Sequence, residues 1–354
     1  MCPMPITDAC FAAANTADGF YSHFPMLFDP LCGRWQKIYI IKGGPGTGKS
    51  SFMKRAAEYA EKKGLYVERC YCSSDTRSLD GIRIPAIGAA MLDGTAPHTV
   101  DPILPGAVEE IINLGMFFDT GMLGGKRDAI RALQEENTAH HLRAKRYLHA
   151  AGAVHETVRA LSSEAFLADK AANTARRLVQ KLPRECEPSV EERFVTAISA
   201  QGVVHLPTAE RHGMCIYVTD NGRAPLFFDA LVGAARERGV SYVRYASPLR
   251  PAETEGISFP SSGVTYFTDR YAADAQEETA RPINVGRFYD TARLRDCRAR
   301  MRFARACEMS LLEGACEALA AAGRVHDALE AHYIAAMDFG ALDAFVTRFL
   351  RGFC

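Results

Sequence analysis

The chain has 354 residues, long enough for two ordinary domains that each bury a core. Hydrophobic residues make up 48% and charged residues 24%, which excludes a disordered or fibrous protein. The 42 basic and 42 acidic side chains cancel to a formal charge of zero, so the overall balance does not call for nucleic acid or an acidic membrane as partner.

Met1-Cys2-Pro3-Met4-Pro5 has neither the positive flank nor the uninterrupted apolar run of a secretory signal. No stretch reaches the roughly 18 apolar residues of a membrane-spanning helix. The 11 cysteines lack the repeated Cys-x-x-Cys spacing of a zinc site. A cytoplasmic protein with free thiols and no membrane partner is therefore expected. Cys70 and Cys72 share one face of a strand and read as packed neighbouring thiols rather than metal ligands.

Along the chain, Lys37-Ile38-Tyr39-Ile40-Ile41 is short, β-branched and ended by paired glycines, which predicts a buried strand. Phe52, Met53, Ala56, Ala57 and Ala60 then recur at helical spacing over Ser51 to Lys63. Between them stands Gly43-Gly44-Pro45-Gly46-Thr47-Gly48-Lys49-Ser50, a complete G-x-x-x-x-G-K-S motif in strand, loop and helix order. Such a P-loop binds phosphate because glycines let successive N–H groups point inward without a side-chain clash. The positive end of the following helix adds favourable field. Lys49 would neutralise the β- and γ-phosphates, Ser50 would hold magnesium, and Gly43 to Ser51 would form the nucleotide cradle.

Leu65 to Cys72 suggests a second strand, followed by the polar stretch Ser73 to Gly81. There Asp75 could accept a proton from a hydroxyl or position water, and Arg77 could neutralise a transferred phosphate; a turn cap and a surface residue are the alternatives. Ile87 to Gly94 is a mostly apolar strand ending in Asp93, a carboxylate placed to support magnesium beside Ser50, with a structural turn as the alternative. Asp93 lacks a following Glu, so the Asp-Glu pair of many mechanical ATPases is missing. His98 reads as a hydrogen-bonded loop histidine, with a contact to substrate or phosphate as the alternative, and Asp119 as a cap.

The chain repeats itself. Phe11 to Gly19 returns as Phe194 to Gly202, Gly64 as Gly239, and Asp80-Gly81-Ile82 as Glu255-Gly256-Ile257. Gly88 matches Gly263, Asn113 to Asp119 matches Asn284 to Asp290, and Val154-His155-Glu156 matches Val325-His326-Asp327. The second loop, Asn221 to Phe227, is shorter and puts Ala224 opposite Lys49 and Pro225 opposite Ser50. A methyl group cannot neutralise phosphate and proline offers no donor, so triphosphate binding is expected only in the first copy. Arg223 leaves an altered anion site open.

The fold expected is α/β: two tandem P-loop NTPase-like three-layer domains, residues 1–185 and 186–354, the second P-loop degenerate. Each carries an added helical hairpin, Lys126 to Lys181 and Asp296 to Arg351, with Leu142 and Phe303 among the apolar anchors. Arg127, Arg131, Arg143 and Arg146 offer a lid over phosphate or a solvated face. His155-Glu156 and His326-Asp327 read as helix packing pairs, with metal ligation as the alternative.

Together, Asn15 to Phe20, Gly43 to Ser50, Ser73 to Gly81 and Asp93-Gly94-Thr95-Ala96-Pro97-His98 make nearly the whole chain resemble a poorly characterised bacterial family of duplicated P-loop proteins described as ATPases. That resemblance implies ATP as the nucleotide, although in that family the second P-loop can itself look complete. The expected activity is magnesium-dependent ATP binding with slow or partner-stimulated hydrolysis, with Lys49, Asp75, Arg77 and Asp93 in catalytic roles. A small-molecule or nucleotide kinase and an ATP-gated interaction protein stay open, with a small-molecule or protein partner. Arginine-rich helices offer nucleic acid a face, but matching acidic residues weigh against it.

Overall fold

The computed structural model describes residues 8–206, 213–219, 223–269 and 281–353. Asn221 and Gly222 of the second loop and the first five residues lie outside the described residues.

The first copy runs through β1 (Asp8–Phe11), β2 (Ala13–Thr16), β3 (Gly19–Ser22), α1 (Phe24–Leu27), β4 (Lys37–Lys42), α2 (Lys49–Lys62), β5 (Glu68–Tyr71), β6 (Leu79–Ile84), β7 (Ala89–Asp93), β8 (Glu109–Asn113), α3 (Thr120–Gly124), α4 (Arg127–Ser163) and α5 (Ala168–Val179). The second runs through β9 (Val190–Arg193), β10 (Thr196–Ser199), β11 (Gly202–His205), β12 (Met214–Thr219), α6 (Ala224–Arg238), β13 (Tyr242–Ala246), β14 (Thr254–Phe259), β15 (Val264–Thr268), β16 (Ile283–Asn284), α7 (Thr291–Ile334) and α8 (Phe339–Arg351).

The two six-stranded mixed sheets have one topology. The first is ordered β1-β5-β6-β7-β4-β8 and the second β9-β13-β14-β15-β12-β16. In the first, β5 and β7 are antiparallel to β6, while β1 is parallel to β5 and both β7 and β8 are parallel to β4. The second repeats each relation. Local devices repeat as well. Asn113 and Asn284 each accept the N–H two residues on, and Asp119 and Asp290 cap the helices that follow. Gly88 and Gly263 end short 3-10 turns at φ of +61° and +63°, a left-handed conformation suited to glycine.

The helical hairpins are where the structure departs from the sequence expectation. The long helices α4 and α7 do not fold back on their own halves; they pair antiparallel with each other, Ala144, Leu148 and Ala151 packing with Leu312, Ala315 and Leu319. Small residues let the two backbones approach. Each long helix thereby delivers its terminal helix to the other copy. The apolar face of α8, Leu342, Val346 and Leu350, is buried with Phe52, Met53 and Ala56 of α2. Reciprocally, Ala171, Ala175 and Val179 of α5 are buried with Phe227, Phe228 and Leu231 of α6. Each face follows the i, i+4, i+8 spacing of a helix packed on one side. Phe303 at 72% and Leu142 at 48% are exposed, so neither is the apolar anchor its periodicity suggested.

Candidate functional site

The β4, β7 and β8 strands run parallel, so their C-terminal ends converge at one edge of the first sheet. The Gly43–Ser50 loop leaves β4 there and enters α2. Gly46 and Gly48 hold φ of +66° and +81°, and Gly48 is the N-cap of α2. A Cβ on Gly43 would stand 2.7 Å from Thr47 Oγ1, so a side chain there would have to displace Thr47. Thr47 itself is buried and donates to the Gly44 carbonyl at 2.9 Å, pinning the curl of the loop.

Lys49 Nζ donates to the carbonyls of Gly43 at 3.1 Å and Gly44 at 2.9 Å, and lies 3.6 Å from Asp93 Oδ2. Asp93 ends β7 directly beside Ile41 of β4. Its other oxygen accepts the Thr95 N–H at 2.8 Å and the Thr95 hydroxyl at 2.5 Å, which fixes the carboxylate toward the loop. Ser50 Oγ accepts the Leu79 N–H at 2.9 Å, joining the first turn of α2 to β6. Ser51 is exposed. The structure therefore brings Gly43 to Ser50 and Asp93 together, as their order in the sequence suggests.

Asp75 and Arg77 are placed differently. The Asp75 carboxylate accepts from Arg77 Nε at 3.0 Å, from the Arg77 N–H at 3.3 Å and from the Ser78 hydroxyl at 2.8 Å. Burial pushes this carboxyl up, but the hydrogen bonds from Arg77 and Ser78 outweigh it and hold Asp75 below the ordinary aspartate value. The pairing makes Asp75 the anchor of a turn and a weak proton acceptor. Arg77 projects into solvent, its guanidinium committed to Asp75.

His98 Nε2 lies 3.1 Å from Asp80 and its ring stacks on Phe24 at 4.4 Å, the hydrogen-bonded loop histidine expected. Cys70 Sγ packs 3.6 Å from Cys10 Sγ on the neighbouring strand, so the thiol packed against it is that of Cys10. Arg127, Arg131, Arg143 and Arg146 are exposed on α4, and Arg131 pairs with Asp128 at 3.1 Å.

Residues from the second copy complete the surroundings, and the sequence offered no signal for them. The end of α7 lies over the loop: the Glu330 carboxylate accepts the Gly46 N–H at 3.0 Å. His326, Asp327 and Glu330 bring one donor atom each within 4.8 Å of one another. A groove of about 490 Å³ opens beside the loop, lined by Met116, Phe118, Asp119, Met122 and Met337. Phe118 and Tyr333 both reach the loop, 3.4 Å and 3.2 Å from where a Gly44 Cβ would stand.

In the second copy α6 begins at Ala224, as α2 begins at Lys49, and Pro225 follows. The space beside it holds fixed ion pairs. Arg159 donates to Glu253 at 3.0 Å and to Asp229 at 3.2 Å, and His155 lies 2.9 Å from Glu253. Arg223 stacks over Tyr289 at 5.1 Å, while the Tyr289 hydroxyl donates to the Arg223 carbonyl at 2.7 Å.

No protein-family model, curated protein or solved structure matches the chain. Among the described residues no helix is long and apolar enough to cross a membrane.

Proposed function

We propose that the chain is a magnesium-dependent ATP-binding protein whose Gly43–Ser50 loop is a P-loop, and that it hydrolyses ATP slowly or on stimulation by a partner. One observation carries the reading: Lys49, the first residue of α2, lies 3.6 Å from Asp93 at the end of β7, the strand parallel to β4, beside a glycine loop in which a Cβ on Gly43 would stand 2.7 Å from Thr47 Oγ1. A cation, a carboxylate and a curl of backbone donors are the parts that triphosphate and magnesium require.

The residues present fit both groups. Lys49 would turn from the Gly43 and Gly44 carbonyls to the phosphate oxygens. Ser50, whose oxygen takes one N–H from Leu79, keeps a second lone pair for magnesium, and Asp93 would support the metal's water shell. Magnesium bound there would neutralise charge on the phosphate oxygens. Positioning and electrostatics then account for most of the rate. The resemblance to duplicated bacterial ATPases supports ATP, and the chain has no Asn-Lys-x-Asp element for guanine.

A second reading, an ATP-gated interaction protein with negligible turnover, is favoured by Asp75. Its carboxylate is engaged by Arg77 and Ser78, so the best acidic candidate for activating water or an acceptor hydroxyl is occupied. The same engagement counts against a kinase that orients its acceptor through Asp75 and Arg77. Turnover of Mg·ATP by wild type beside Lys49→Ala separates the readings. Turnover lost in Lys49→Ala supports the ATPase; tight binding without turnover supports the gated protein; the absence of both sinks the P-loop reading.

A further inference from the structure

The end of α7 is fitted to the loop. A Cβ on Gly46 would stand 2.8 Å from Ile334 Cγ1 and 3.2 Å from the Glu330 carbonyl oxygen, and one on Gly44 would stand 3.2 Å from Tyr333. Glu330 then places a carboxylate oxygen 3.0 Å from the Gly46 nitrogen. A carboxylate is the side chain closest in chemistry to a phosphate: anionic, acceptor-only and well matched to a backbone N–H in a positive field. Lys49 meanwhile donates to the carbonyls of Gly43 and Gly44, within the loop.

We infer that Glu330 is a built-in competitor for phosphate at this loop, so that nucleotide takes the Gly46 N–H only when the end of α7 moves off it. The inference rests on reading the loop as a nucleoside triphosphate site. A triphosphate brings several negative charges against Glu330 and the neighbouring Asp327, which repel it unless the helix end shifts. The coupling is reciprocal: whatever displaces the end of α7 exposes the loop, and whatever fills the loop displaces α7. Because α7 pairs lengthwise with α4 and carries α8 into the first core, the element that moves belongs structurally to both copies.

Among the described residues, the second copy shows no such contact. The residue equivalent to Glu330 is Arg159, held by Glu253 and Asp229 in a loop region without the lysine. Among the described residues, the position that carries a carboxylate over the first loop carries an arginine beside the second.

Calorimetric titration of Mg·ATP into wild type, Glu330→Gln, Glu330→Ala and Lys49→Ala tests the inference. Glu330 is only half-buried, so both variants at this position are expected to keep the fold, which thermal denaturation of each checks. Glu330→Ala is expected to bind about tenfold tighter than wild type, with Glu330→Gln between them. Binding by Glu330→Ala where wild type shows none would support competition in its strongest form. Equal affinity within twofold, or weaker binding by Glu330→Ala, overturns the inference while leaving the loop reading intact. Failure of wild type and both Glu330 variants to bind removes the loop reading, and the inference with it.

Discussion

Phe11 and Phe194, equivalent residues of the two copies, hydrogen-bond to each other: the Phe11 N–H to the Phe194 carbonyl at 2.7 Å and the Phe194 N–H to the Phe11 carbonyl at 3.2 Å. A residue that pairs with its own counterpart marks an approximate twofold axis, here between the β1 and β9 edges of the two sheets. The bridge is confined to this one residue pair, at the C-terminal ends of the two edge strands. The crossed long helices obey the same symmetry, and the reciprocal exchange of α5 and α8 follows from it.

The exchange predicts where damage in the last helix is felt. Leu342 on α8 belongs to the core of α2, so Leu342→Ala is expected to cost about 2–5 kcal/mol of stability. Amide exchange should rise in β4, α2 and β7 of the first copy, far away in sequence, more than in α6. Hydrogen exchange that instead loosened only the second copy would contradict the exchanged packing.

Much of this was legible from local pattern. The glycine loop, the flanking strand and helix, Asp93 and the repeat itself all depend on residues near one another in sequence. The exchange was not: apolar spacing on α8 says which face is buried but not against which core, and α5 and α8 offer similar faces to two similar sheets. β6 was hidden because Asp80-Gly81 and the polar residues before it look like a loop, yet a central strand covered on both faces needs no alternation. Glu330 was out of reach, since its partner Gly46 lies 284 residues away.

Arg83 makes the contact between copies vulnerable. It is 1% exposed and its guanidinium lies 2.6 Å from Glu68 and 2.7 Å from Glu191 of β9, with Trp35 beneath it at 5.4 Å. Burial raises the Glu191 carboxyl, but Arg193 and Arg83 more than compensate and hold it far below the usual range. Arg83→Met would leave the buried Glu68 and the half-buried Glu191 with Arg193 and, for Glu191, the exposed Arg34 at 3.4 Å, and is expected to destabilise the fold by about 3–5 kcal/mol. Adding Glu191→Gln should recover part of the loss in chemical denaturation. No recovery would show that shape, not charge, makes Arg83 necessary.

His155 predicts a loss of stability at alkaline pH. Burial lowers its pKa, but hydrogen bonds with Glu253 at 2.9 Å and Glu308 at 3.1 Å outweigh burial and raise it to about 9 from 6.5. The folded value is above the unfolded one, so this stabilisation is complete below pH 6.5 and fades as pH rises through about 9. At 1.36 kcal/mol per unit the loss is on the order of 3 kcal/mol. His23 acts on the other side: burial lowers it to about 4, so stability falls as pH drops from 6.5 toward 4. Urea denaturation between pH 6 and 9.5 should show the alkaline loss in wild type and a flatter profile in His155→Gln. Parallel profiles would place its cause elsewhere.

Asp93 separates a metal role from a purely structural one. Its Oδ2 faces Lys49 while its Oδ1 is held by Thr95, so Asp93→Asn keeps size and part of the hydrogen bonding but removes the charge. If Asp93 supports magnesium through the metal's water shell, the variant should weaken ATP binding in magnesium by about 10- to 100-fold, the range for an outer-shell partner. Binding of ATP in chelator should change little, or improve slightly, because a negative charge near the phosphates has gone. The comparison of the two titrations is the measurement. An equal loss with and without magnesium would assign Asp93 to holding Lys49 and the loop rather than the metal, and an unchanged affinity in both would remove it from the site.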